Sequence, residues 1–211
     1  GGGLQFVSAN RYSLGGIMNI KNVIVGIVFI GMTSPAMAAG LDNIYVAVDL
    51  GRSTYKNSCK DIPSMFYNTC TDSDRGSRFS AGYQINENIA AEISHFNAGK
   101  TTASGFGVTD SIETKEWQFS GVGLLPMGDG LSLFAKLGFA HWDVARANSA
   151  PTAPPNPGAT GTDVLFGIGG KFDFNSKFAM RTHYEFHSAG DSTITGRGDI
   201  NFLSAGLMYK F

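Results

Sequence analysis

Hydrophobic and polar side chains alternate through most of residues 44–211, the period of a strand with one apolar face and not that of a helix. The alternation falls into eight segments, near 44–56, 75–85, 89–99, 115–127, 131–145, 163–174, 178–190 and 199–211. In the first, Ile44, Val46, Val48 and Leu50 share one face, and Tyr45, Ala47, Asp49 and Ser53 the other. The fifth sets Leu131, Leu133, Ala135, Leu137 and Phe139 against Ser132, Lys136 and Gly138. The seventh sets Phe178, Met180, Tyr184 and Phe186 against Arg181, His183, Glu185 and His187. Connections alternate in length. Asn86-Glu87-Asn88, Gly128-Asp129-Gly130 and Asn175-Ser176-Lys177 read as tight turns, built from residues that tolerate unusual backbone angles. Between them fall longer segments at 57–74, 100–114, 146–162 and 191–198. The third of these is Pro-rich and is expected to be a loop, since proline has no ladder donor.

Short turns on one rim, long loops on the other and an even strand count predict an all-β fold: an eight-stranded antiparallel up-and-down transmembrane β-barrel. Strands of ~9–11 residues are long enough to cross hydrocarbon when tilted. Closure is required because lipid offers no partner to an open sheet edge. A soluble barrel also alternates, with its apolar face inward. Three features favour the membrane. Charges on the polar face are sparse along each strand and accompanied by Gly, Ser and Ala, as a narrow interior requires. Aromatics on the apolar face (Phe79, Tyr83, Trp117, Phe119, Phe174, Phe178, Tyr209) are expected near strand ends, where interfacial girdles sit. The chain also stops on a strand ending in Phe211.

The N-terminal region carries a different signal. Lys21 precedes the apolar run from Val23 to Ile30, and Pro35 precedes the small-x-small site Ala36-Met37-Ala38. That order predicts a secretory signal peptide over 18–38, cleaved after Ala38, and the run is well short of the ~20 residues a spanning helix needs. Residues 1–17 contain no Met and read as an upstream translated extension or cloning remnant. The remainder, 39–211, is expected to form one barrel domain. A net charge of −1 with no basic stripe argues against nucleic-acid binding. Export implies an oxidising compartment, which favours a disulfide between Cys59 and Cys70 within the first long loop, outside the cell.

Four stretches then carry a family resemblance. They are Gly82-Tyr83-Gln84-Ile85-Asn86-Glu87-Asn88-Ile89-Ala90-Ala91-Glu92, Gly167-Ile168-Gly169-Gly170-Lys171-Phe172-Asp173-Phe174, Phe178-Ala179-Met180-Arg181-Thr182-His183-Tyr184-Glu185-Phe186, and the closing run from Asp199 to Phe211. In this order they resemble successive strands of the OmpA-like outer-membrane barrel family, from about Leu41 onward. The resemblance implies residence in the bacterial outer membrane, among its lipids and lipopolysaccharide. It implies that Phe211 is an assembly signal read by the outer-membrane assembly machinery. It covers the barrel alone, so cell-wall anchoring through a peptidoglycan-binding domain does not carry over. Glu92 and Arg181 each lie three residues into an up-going strand, and the resemblance places a lumen carboxylate–guanidinium pair there; Lys136, on the polar face of the fifth segment, is a candidate third member. A second family pair is expected to be missing, because the aligned positions hold Val122 and Lys171. The pair reads as a structural plug in preference to a gate on a narrow pore, since eight strands leave room only for side chains.

Enzymatic chemistry has one candidate set. Some eight-stranded barrels modify lipid A with Ser, His and a carboxylate, and His183, Glu185, His187 and Ser188 offer those residue types. However, the first three share the lumen face, away from acyl chains, and Ser188 points to the opposite face from its neighbour His187. His183 and His187 are about 13 Å apart on one strand face, too far to share a metal. No catalytic residue, metal or cofactor is therefore expected. The reading is a non-enzymatic, monomeric barrel for envelope integrity and surface contact, whose loops meet a host or cell-surface ligand. A low-conductance porin and a lipid A-modifying enzyme are the alternatives.

Overall fold

The computed structural model describes residues 42–56, 59, 68–149, 158–189 and 198–211. The expected extension over 1–17 and the signal peptide over 18–38, with its cleavage after Ala38, lie outside the described residues. So do 150–157, within the Pro-rich segment, and 190–197.

Among the described residues nine antiparallel strands form one sheet: β1 (Ile44–Lys56), β2 (Thr69–Thr71), β3 (Ser73–Asn86), β4 (Ile89–Gly105), β5 (Val108–Gly128), β6 (Leu131–Asn148), β7 (Gly158–Asp173), β8 (Phe178–Ala189) and β9 (Gly198–Lys210). The order β4-β3-β1-β9-β8-β7-β6-β5 closes on itself through pairing of β4 with β5, so eight strands make a ring. Closure leaves no edge within the ring, the condition a lipid solvent imposes. The remaining strand, β2, adds to β4 above the ring, pairing Thr69–Thr71 with Ser104–Thr102.

Side-chain alternation sorts the two faces as the sequence pattern requires. Leu50 is 64% exposed while its neighbour Asp49 is fully buried. Along β6, Leu131, Leu133, Leu137 and Phe139 face outward and Ser132, Lys136, Ala140 and Trp142 inward. The outward wall carries the large apolar residues and the interior most of the buried charges, the inverse of a water-soluble barrel.

Three expectations need correction. The segment 100–114 is not a long loop. β4 runs on to Gly105 and β5 starts at Val108, joined by a turn at Phe106 and Gly107, both at positive φ. Likewise 146–148 and 158–162 are strand and not loop. Above the membrane a strand needs no apolar outward face, so alternation fades while the hydrogen-bond ladder continues. Pairs such as Lys100–Glu113 and Arg146–Asp110 replace apolar contacts there. For the same reason Phe79, Trp117 and Phe119 lie within their strands, not near the ends, because the ladder extends past the upper girdle. The lower girdle does sit at strand ends, where the Tyr209 ring packs 5.2 Å from Phe178 and 5.1 Å from Phe211.

The interior is filled in layers. An apolar cluster of Tyr45, Ala47, Ala90, Val122, Ala179 and Met208 lies at the short-turn end. A second, containing Tyr55, Phe96, Trp142, Val144, Ile200 and Phe202, lies at the long-loop end. Charged residues occupy the space between them.

Candidate functional site

Each strand contributes few inward charges, yet the ring brings them together. Arg181 on β8 makes a bidentate contact with Asp49 on β1, Nε–Oδ1 2.8 Å and Nη2–Oδ2 2.6 Å. Its Nη1 donates to Glu92 Oε2 on β4 at 2.6 Å, and Nη2 also donates to Ser80 Oγ at 3.0 Å. Glu92 further accepts from Lys136 Nζ at 2.9 Å, Tyr45 OH at 3.1 Å and Ser94 Oγ at 3.2 Å. Thus Glu92, Arg181 and Lys136, the three residues expected from the sequence, meet in the lumen. Asp49 and Tyr45 complete this layer. Their contribution was not anticipated, although both were placed on the polar face.

A second charged layer lies toward the long-loop end. Arg78 Nη2 donates to Glu185 Oε1 at 2.7 Å, and its guanidinium sits 5.1 Å from both the Phe96 and Phe202 ring centroids. Arg78 Nη1 lies 2.6 Å from His183 Nε2; a guanidinium only donates, so that ring nitrogen accepts. Gln118 Nε2 reaches Glu185 Oε1 and Glu116 Oε2, each at 3.0 Å, and His187 Nε2 donates to Glu116 Oε1 at 2.7 Å. Lys136 Nζ, 3.5 Å from Glu185 Oε2, links the two layers. The layers differ in completeness: among the described residues Arg78 Nε, Gln118 Oε1, Glu185 Oε2 and His187 Nδ1 have no hydrogen-bond partner, whereas each side-chain nitrogen of Arg181 and both carboxylate oxygens of Glu92 have one.

Glycines make these contacts possible. Asp49 and Arg181 are both register partners of Gly206 on the strand between them, and they meet over it. A Cβ on Gly206 would run into Asp49 Oδ1. Tyr45 and Glu92 meet in the same way over Gly82, and Lys136 and Glu185 over Gly167.

The aligned positions of the missing family pair behave differently. Val122 is buried in the lower apolar cluster. Lys171 sits at the short-turn mouth, 3.1 Å from Asp173, which also accepts from Lys210 at 2.6 Å. Of the residue types considered for lipid A chemistry, His183, Glu185 and His187 are buried in the lumen, and Ser188 Oγ donates to Asp199 instead of meeting His187. Ser204 Oγ lies 3.4 Å from His183 Nε2, but both are buried and Arg78 engages that nitrogen. Among the described residues no cluster of His, Cys, Asp or Glu is arranged to hold a metal ion. Cys59 and Cys70 form a disulfide with a Cα–Cα distance of 5.8 Å.

An eight-stranded ring that is apolar outside and charged inside defines a transmembrane β-barrel of the outer-membrane type. Residues 39–211 match the family described as OmpA-like transmembrane domain, and the chain belongs to that family. It is 25% identical over 193 residues to outer membrane protein A of Klebsiella aerogenes, covering 90% of this chain. It spans 54% of that relative's length, about half. Among solved structures it resembles neisserial surface protein A (TM-score 0.58, 13% identity, 80% of this chain and 97% of the other). It also resembles Ail of Yersinia pestis in complex with the heparin analogue sucrose octasulfate (TM-score 0.53, 14% identity, 80% and 98%). The protein resides in the outer membrane.

Proposed function

We propose that this is a closed, non-enzymatic outer-membrane barrel that supports envelope integrity and makes surface contacts through its extracellular loops. The observation that carries the reading is the filled lumen. Two apolar clusters bracket the charge network. A cavity of about 20 Å³ lies beside Glu92, Lys136 and Arg181. That is room for about one water, which a hydrated ion cannot use as a path. The charges therefore act as a plug. The parts free to meet partners are the loops and the ladders that rise beyond the membrane, such as the β4–β5 hairpin with Phe106, 76% exposed, at its tip. Outer-membrane lipids, lipopolysaccharide and the assembly machinery are the constitutive partners in this reading, and a cell-surface ligand is the loop partner.

Planar-bilayer recording of the refolded barrel is expected to show no steady single-channel current. Discrete openings in the unmutated protein would replace the plug by a pore. A deletion strain should leak periplasmic contents or lose surface adhesion, with lipid A mass unchanged. A shifted lipid A mass would establish enzymatic activity instead.

A further inference from the structure

Among the described residues the outer wall carries a cationic pair with no acidic partner. Arg52 on β1 and Arg75 on β3 are direct register partners, and both point outward and are exposed. Like charges placed directly opposite each other destabilise a sheet. Nearby acidic groups do not relieve this pair. Arg52 Nη2 donates to the Ser73 hydroxyl at 2.7 Å, a neutral acceptor. Asp74 accepts from two backbone amides, Arg75 N at 2.7 Å and Lys100 N at 2.8 Å. Among the described residues neither guanidinium has a carboxylate in ion-pair range. By contrast, the wall lysines Lys100 and Lys115 share Glu113 at 3.2 and 2.9 Å.

Height on the barrel suggests what neutralises the pair. Below Arg52 the outward residues of β1 are Val46, Val48 and Leu50, and Val48 opposes Phe79 of β3. Eight residues of tilted strand from Ile44 to Arg52 rise roughly 20 Å, close to the upper limit of an apolar band about 25 Å tall. The pair thus stands at the level of the outer-leaflet head groups, directly above an apolar surface. A guanidinium is a planar fork matched to phosphate oxygens, and two of them on adjacent strands can grip one phosphate.

We propose that Arg52 and Arg75 form a binding site for a phosphate of an outer-leaflet phosphorylated glycolipid, whose acyl chains lie along Leu50, Val48 and Phe79. The site names a lipid partner for the envelope role above and rests on that reading for its orientation, with the long loops outward.

The test uses the full barrel refolded in phosphatidylcholine vesicles doped with diphosphoryl lipid A or with its dephosphorylated form. Lipid that co-purifies after mild detergent extraction is measured by mass spectrometry. The unmutated barrel is expected to retain the diphosphoryl form, and R52Q/R75Q about tenfold less of it, with neither retaining the dephosphorylated form. Equal retention by both proteins overturns the proposal. So does release of the lipid by millimolar inorganic phosphate, which would make a soluble anion the ligand. In plain phosphatidylcholine the urea midpoint of R52Q/R75Q is expected at or above that of the unmutated barrel, because a like-charge contact is gone. A lower midpoint there means that the arginines stabilise the wall unaided, which also overturns it. Leakage from a deletion strain carrying R52Q/R75Q separates the two readings. Lost retention without leakage supports the site against the envelope role. Leakage with retention unaltered overturns the site alone.

Discussion

Arg181 divides one guanidinium between Asp49 and Glu92, carboxylates held by different strands. Replacing it with Ala strands Asp49 and leaves Glu92 to Lys136, so R181A is expected to cost about 3–5 kcal/mol. Neutralising all three positions (Asp49→Asn, Glu92→Gln, Arg181→Met) should cost less, because no buried charge is abandoned and Lys136 keeps Glu185 at 3.5 Å. Urea unfolding in lipid vesicles measures both. If the triple variant is the less stable, the charges do not act as one unit. G206A should lose about 2 kcal/mol in the same assay, although it deletes nothing, by pushing Asp49 off Arg181 and the β1 backbone at Val48 and Asp49 aside. The sequence made part of this site legible. Glu92, Arg181 and Lys136 were expected together, through family resemblance and strand depth. Arg78, Glu116 and Gln118 were not, because a single polar residue on an inward face does not show how far across the ring it reaches. That reach depends on which strand neighbour is a glycine and on how strands are staggered, and both emerge only with the register.

Element boundaries were readable where the membrane imposes them. All eight ring strands lie where alternation placed them, and the tight turns fall at the expected residues. The extensions at 100–105, 108–114, 146–148 and 158–162 were missed because water on the outer face removes the apolar half of the pattern. The short β2 was missed for a related reason. Three residues, all exposed, have no alternation to read, and pairing with β4 defines the strand. The Cys59–Cys70 disulfide is anchored in this strand through Cys70, and its stabilisation, roughly 3 kcal/mol in the chain-entropy model, should be felt locally. In C59S/C70S the amides of Thr69–Thr71 should lose hydrogen-exchange protection, while those of β3 and β4 below Asn97 keep theirs. Loss of protection throughout the ring would mean that the loop holds the barrel together.

At the scale of the whole molecule, assembly and stability should prove separable. Phe211 donates its amide to Ile44 O at 3.1 Å but lies beyond the last strand. F211S is therefore expected to lower the amount of barrel inserted in cells while leaving the urea midpoint of refolded protein nearly unchanged. An equal loss in both would make Phe211 a packing residue instead of a signal. Mass spectrometry of the same envelopes is expected to find Ala39 at the N-terminus; an uncleaved chain in the inner membrane would contradict the reading of 18–38.

The seam between β1 and β9 joins segments far apart in the chain. Alternation alone would accept several alignments there, because a slip of two residues keeps every side chain on its proper face. Gly206 rejects them. Shifted by two, Asp49 would oppose Ser204 or Met208, whose side chains occupy the inward space that Arg181 crosses. Misaligned closure would separate Asp49 from Arg181 in a dry interior. A chain built this way disfavours a misaligned seam, through the same residues that are proposed above to plug the lumen.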